Sequence, residues 1–76
     1  MISITILYFA HLRETRGFSK ETMHLEQSVS IGALFSHIFN IPSTGIRFAI
    51  DAEYVSADTL ISDGDEIAFL PPMGGG

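Results

Sequence analysis

The sequence predicts an α+β domain: a mixed sheet of about five strands with one main helix packed across it and one short helix beside it. Three observations predict it. The chain opens on a run with a period of two, carries one amphipathic helical stretch near its middle, and closes on an apolar strand stopped by Pro71-Pro72. With 76 residues there is room for a single small core, so each element must bury apolar surface efficiently.

In the opening run Ile2, Ile4, Ile6 and Tyr8 alternate with Ser3 and Thr5, which reads as a strand. The alternation then breaks, because Leu7 and Phe9 are apolar on the face that Ser3 and Thr5 make polar. Such a strand is either covered on both faces or half-exposed for a partner. Ala10 to Arg16 reads as a short helix with Gly17 as its C-terminal cap. Lys20 to Leu25 is a second strand, with Met23 and Leu25 inward and His24 outward. Ser28-Val29-Ser30 introduces the main helix, and the Ser30 hydroxyl is placed to accept from a free backbone N–H. Ile31, Leu34, Phe35 and Ile38 fall at i, i+3, i+4 and i+7, one apolar stripe. Gly32 costs up to about 1 kcal/mol against alanine in a helix, which points to tight packing against the sheet. Asn40 and Pro42 end the helix, since proline biases Ile41 away from helical geometry.

Arg47 to Ile50 is a third strand, Asp51-Ala52-Glu53 a turn, and Tyr54-Val55 a brief return strand. Leu60-Ile61 is a short apolar element ahead of Ser62-Asp63-Gly64-Asp65, whose Asp-Gly pair signals a turn. Glu66 to Leu70 is the last strand, and proline, lacking a ladder donor, stops it. The first and last strands are the most apolar and are expected side by side at the sheet centre. One helix across such a sheet is the β-grasp arrangement. Residues 1–70 form this domain, and residues 71–76 a flexible tail.

Charge and composition narrow the function. Four Lys and Arg against nine Asp and Glu give a net charge of -5, and the four cations are scattered among carboxylates. Nucleic acid is therefore not an expected partner. No stretch approaches a membrane span, and the start lacks the basic region of a secretory signal, so a cytoplasmic protein is expected. The absence of cysteine removes disulfides, thiolate metal sites and cysteine nucleophiles. His11, His24 and His37 stand on three separate elements with no i, i+4 pair, so no metal site is expected. Asp63, Asp65 and Glu66 lack the spaced ligands of a calcium loop and read as a turn. No nucleophile elbow appears among the serines, and no bound cofactor is expected.

The glycine-rich end has two readings. A phosphate cradle needs a helix after its glycines, and none follows here. Fraying is one fate of terminal glycines. The other follows from context: a central strand, a stiff Pro-Pro, then residues without side chains. The six residues from Pro71 to Gly76 extend at most ~20 Å, and glycines pass through a channel where any Cβ would clash. Such a tail delivers the Gly76 carboxylate into another protein's active site.

Tyr8-Phe9-Ala10-His11-Leu12-Arg13-Glu14, Ser62-Asp63-Gly64-Asp65-Glu66-Ile67-Ala68-Phe69 and Leu70-Pro71-Pro72-Met73-Gly74-Gly75-Gly76 together resemble the ubiquitin-like sulfur-carrier family of molybdopterin synthase small subunits (MoaD). Ser30-Ile31-Gly32-Ala33-Leu34-Phe35 is similar to that family's helix start. The resemblance spans the whole chain. Asp51 departs from the Asn often found in that family's turn, the segment from Asn40 to Gly45 is short, and Gly74 makes the tail a triple glycine.

The resemblance implies that Gly76 is adenylated by an E1-like enzyme (MoeB-type) using ATP and then converted to a thiocarboxylate. Gly75 and Gly74 give it access. The tail would enter a large subunit (MoaE-type) in a heterotetramer and give sulfur to cyclic pyranopterin monophosphate, the catalytic groups lying on that subunit. Phe9, Arg13, Tyr54, Leu70, Pro71, Pro72 and Met73 are the expected partner-binding residues. Alternatives are a carrier for thiamine synthesis or tRNA thiolation, a ubiquitin-like protein modifier joined through Gly76, and a β-grasp interaction module with an inert tail. The helix after the first strand and the Pro-Pro pair favour molybdopterin over thiamine.

Overall fold

The computed structural model describes residues 1–72. The alternation at the start of the chain becomes β1 (Ile2–Tyr8), which places Ile4, Ile6 and Tyr8 in the core. A sharp bend at Ala10, with φ of 51°, leads into α1 (Ala10–Arg16), which sends Leu12 into the same core. Gly17 closes α1 in the left-handed conformation, at φ of 86°, its N–H donating to the Arg13 carbonyl. A side chain there would meet backbone strain, which is why glycine suits the cap. β2 (Lys20–Leu25) returns antiparallel to β1, with Ile2 opposite Leu25 and Leu7 opposite Lys20.

α2 (Ile31–Phe39) starts where expected, and the Ser30 hydroxyl accepts from the Ala33 N–H at 3.2 Å. Its buried stripe is Ile31, Gly32, Leu34 and Phe35, with Ile38 and Phe39 partly buried against the core. Phe39 lies outside the expected stripe. It stacks on Phe35 with centroids 4.8 Å apart and meets Tyr8 edge-on at 5.9 Å. Full burial of a phenylalanine such as Phe35 contributes about 2–3 kcal/mol. Asn40, at φ of 59°, ends the helix.

β3 (Arg47–Ile50) and β4 (Glu53–Val55) form a hairpin, and β5 (Glu66–Leu70) closes the sheet. The order is β2-β1-β5-β3-β4, with β1 and β5 parallel and side by side in the interior. This is the expected β-grasp sheet. Two local expectations are corrected. The return strand begins at Glu53, because Asp51 and Ala52 alone make the turn and set Glu53 opposite Ile50. The other concerns Gly32: its close neighbour is Ala57, on the loop after β4 and not on the sheet. Leu60-Ile61 is a short element outside the five strands, as read; a single bridge joins Leu60 to Ser30 while Ile61 is buried.

Candidate functional site

The pleat gives the sheet a second face, away from α2. Across it the register aligns Lys20, Leu7, Ala68, Ala49 and Tyr54 in one row, with Arg47 opposite Leu70 in the next. The middle of the row is two alanines, flanked by the larger Leu7 and Tyr54. Ala68 is half-buried and Ala49 is 6% exposed, so the exposed surface of this face lies toward its flanks. Tyr54 is 70% exposed, and the Arg47 guanidinium stacks over its ring at 5.5 Å. Leu70 and Leu7 are half-buried.

Phe9 follows the last paired position of β1 in extended geometry, with φ of -127° and ψ of 154°. It is 40% exposed. Leu7, Phe9, Arg13, Ser19 and Lys20 are among the residues lining a depression of about 250 Å³. Because Leu12 anchors α1 in the core, the helix caps one end of the sheet and leaves this depression open. Phe9, Arg13 and Leu70 thus lie toward the end of the sheet where β5 runs into Pro71-Pro72, while Tyr54 stands on the edge strand β4, three strands from β1, and meets Arg47. Pro71 is buried and Pro72 exposed. Met73, Gly74, Gly75 and Gly76 lie outside the described residues.

The same end is braced by a network not foreseen from the sequence. The buried Tyr8 hydroxyl donates to Glu21, and the Arg16 guanidinium donates to the same carboxylate oxygen at 2.6 Å. Arg16 also lies over the rings of Tyr8 and Phe18, at 5.5 and 5.2 Å. Burial, reinforced by the hydrogen bond to Glu21, raises the Tyr8 phenol well above its ordinary range. Partial burial opposes ionisation of Glu21, but the hydrogen bonds from Tyr8 and Arg16 outweigh it and lower its pKa. The network ties the end of α1 to β2 beneath Phe9 and the depression. Arg47, Lys20 and the two alanines were also missed. The alternation of Ala49 with Phe48 and of Ala68 with Phe69 was the available signal.

Among the described residues no three His, Asp or Glu side chains converge as a metal site would require. None of the described helices is long and apolar enough to cross a membrane.

Comparison with known proteins agrees with this architecture. The sequence model of the ThiS family matches residues 6–76. The molybdopterin synthase sulfur carrier subunit of Chlamydomonas reinhardtii is 32% identical, over 99% of this chain and all of that protein. The human protein of the same name is 34% identical, over all of this chain and 97% of its own length. The solution structure of small archaeal modifier protein 1 from Methanosarcina acetivorans superposes with a TM-score of 0.74 at 26% identity, covering all of this chain and 98% of that one.

Proposed function

Because this chain belongs to the ThiS family, we propose that it is the sulfur-carrier subunit of a cytoplasmic molybdopterin synthase. One observation carries the reading. An interior strand, β5, runs directly into Pro-Pro followed by Met73 and three glycines, beside a face that carries exposed Phe9 and Tyr54. A strand held on both sides is a rigid base for a projecting tail, and the glycines let that tail enter a narrow channel. Likeness along the whole chain to two proteins named as molybdopterin synthase sulfur carriers supports the pathway.

In this reading the Gly76 carboxylate attacks the α-phosphorus of ATP on an E1-like enzyme, releasing pyrophosphate and forming an acyl-adenylate. Hydrosulfide attacks the acyl carbon, the bond to AMP breaks, and loss of a proton leaves a thiocarboxylate. Activation is required because a free carboxylate does not react with sulfur nucleophiles, whereas a thiocarboxylate is a competent nucleophile at neutral pH. The large subunit receives the tail, and Phe9, Arg13, Tyr54, Leu70, Pro72 and Met73 dock against it, with Pro71 fixing the base. Sulfur then passes to the pterin precursor, cyclic pyranopterin monophosphate, by groups on that subunit.

Intact-mass analysis after incubation with the adenylating enzyme, ATP and a sulfur source tests this. Exchange of one oxygen for sulfur at Gly76 is expected, followed by molybdopterin formation with the large subunit. An unchanged mass under competent conditions overturns the carrier reading. The likeness to small archaeal modifier protein 1 favours a second reading, a protein modifier, for which the same incubation with cell protein yields isopeptide adducts through Gly76.

A further inference from the structure

The topology sorts charge in a way the linear sequence hides. Arg13 and Arg16 follow β1 on α1, Lys20 opens β2, and Arg47 opens β3 opposite Leu70. All four positions lie at the end of the sheet where β5 terminates, and they are every Lys and Arg in the chain. The opposite end holds the amino terminus together with Glu26 after β2, Asp51 and Glu53 at the β3–β4 turn, Asp63 and Asp65 before β5, and Glu66 at its first position. An acidic protein thus keeps all four cations at one pole and six of its nine carboxylates at the other.

Three of those cations are uncommitted. Arg16 is engaged by Glu21, whereas Arg13, Lys20 and Arg47 form no ion pair among the described residues, and all three are exposed. They stand around apolar surface: Arg13 and Lys20 line the depression with Leu7 and Phe9, and Arg47 lies against Tyr54 beside Leu70. Three carboxylates accompany them: Glu14 is exposed on α1, Glu21 is paired with Arg16, and Asp58 is exposed just after Ser56 and Ala57, which line a depression with Arg47.

We propose that this end is a basic collar that docks on a protein surface whose apolar contact is rimmed by Asp and Glu. A polarised charge distribution orients a small protein during encounter, so an acidic rim draws this pole, and the tail with it, toward the channel mouth. The depression between Arg13 and Lys20 takes an apolar side chain flanked by carboxylates. Apolar surface set among so few cations fits such a protein surface better than a phosphate backbone, which needs denser positive charge. The proposal rests on the carrier reading for the use made of the tail, and not for the binding itself.

The test is a titration of the intact, isotope-labelled chain with a blocked peptide of alternating Glu and Leu, followed by amide NMR shifts. Shifts centred on Leu7, Arg13, Lys20, Arg47 and Leu70 are expected. Affinity is expected to fall by roughly tenfold between low and physiological ionic strength, as screening predicts. Lys20→Gln with Arg47→Gln is expected to weaken binding about fivefold or more, while Glu53→Gln at the far pole leaves it unchanged. Absence of binding, shifts at the opposite pole, or tighter binding of a single-stranded oligothymidylate of equal charge overturns the proposal. The peptide titration makes no use of Gly76 chemistry. A Gly76 that takes up sulfur on a chain without a collar sinks only this proposal, and a working collar with an inert Gly76 sinks only the carrier reading.

Discussion

Gly32 and Ala57 are locked together: the Gly32 N–H donates to the Ala57 carbonyl at 2.9 Å, and a Cβ on Gly32 would stand 2.9 Å from the Ala57 Cβ and 3.0 Å from that oxygen. Helix propensity alone favours alanine at position 32 by about 1 kcal/mol. The contact reverses the sign, because the obstructing atoms belong to backbone and Cβ and cannot swing aside. Gly32→Ala is expected to lower stability by about 1–2 kcal/mol through overpacking, read as a lower urea midpoint with unchanged slope.

The β3–β4 turn offers the opposite case. Asp51 and Ala52 have φ of 50° and 70°, so both central residues are left-handed, as a two-residue hairpin turn of this hand requires. The Asp51 carboxylate also accepts from the Glu66 N–H at 3.0 Å, which suits it to its place. Ala52 has no such compensation and carries the steric penalty of its Cβ. Ala52→Gly is expected to stabilise the domain by up to about 1 kcal/mol, the relief of strain exceeding the entropy glycine adds to the unfolded chain. Thermal unfolding measures it, and a lower midpoint refutes the argument.

The brace around Glu21 predicts an acid response. Partial burial resists ionisation, yet the Tyr8 and Arg16 hydrogen bonds and the Arg16 charge hold the folded pKa below the unfolded one. The stability this contributes is complete above the ordinary glutamate value and is lost as pH falls through the lowered folded value. Glu21→Gln is therefore expected to flatten the stability–pH curve in that acid window. Tyr8→Phe, which leaves the ring in place and removes the donor, is expected to cost about 1 kcal/mol at neutral pH. Urea titrations at several pH values test both.

Much of this architecture was legible because it is encoded locally. The period of two in Ile2 to Tyr8, the Ser30 cap, the stripe from Ile31 to Ile38 and the stop at Pro71-Pro72 each lie within one element, and each appears as read. What escaped depends on register between distant strands. Nothing near Arg47 in the chain announces that it stands opposite Leu70 and over Tyr54, nor does anything near Glu21 announce Tyr8. Gly32 showed only that something approaches closely; the partner, a loop residue in place of a strand, required the fold. The gathering of four separated cations at one pole is of the same kind, a product of strand direction that sequence order conceals.

Phe9 gives the sharpest test of the proposed docking face. The residue is 40% exposed at the junction of β1 and α1, and its backbone carbonyl accepts the first helical N–H groups, from Leu12 and Arg13. The side chain therefore adds little to folding while standing beside Leu7 and Arg13, where a partner would bury it. Phe9→Ala keeps the backbone acceptor and is expected to shift the unfolding midpoint only slightly. Loss of a buried aromatic anchor at an interface costs about 2 kcal/mol or more, on the order of thirtyfold in affinity. Calorimetric titration with a molybdopterin synthase large subunit is expected to record that loss, and undiminished affinity in a folded Phe9→Ala chain places the interface elsewhere.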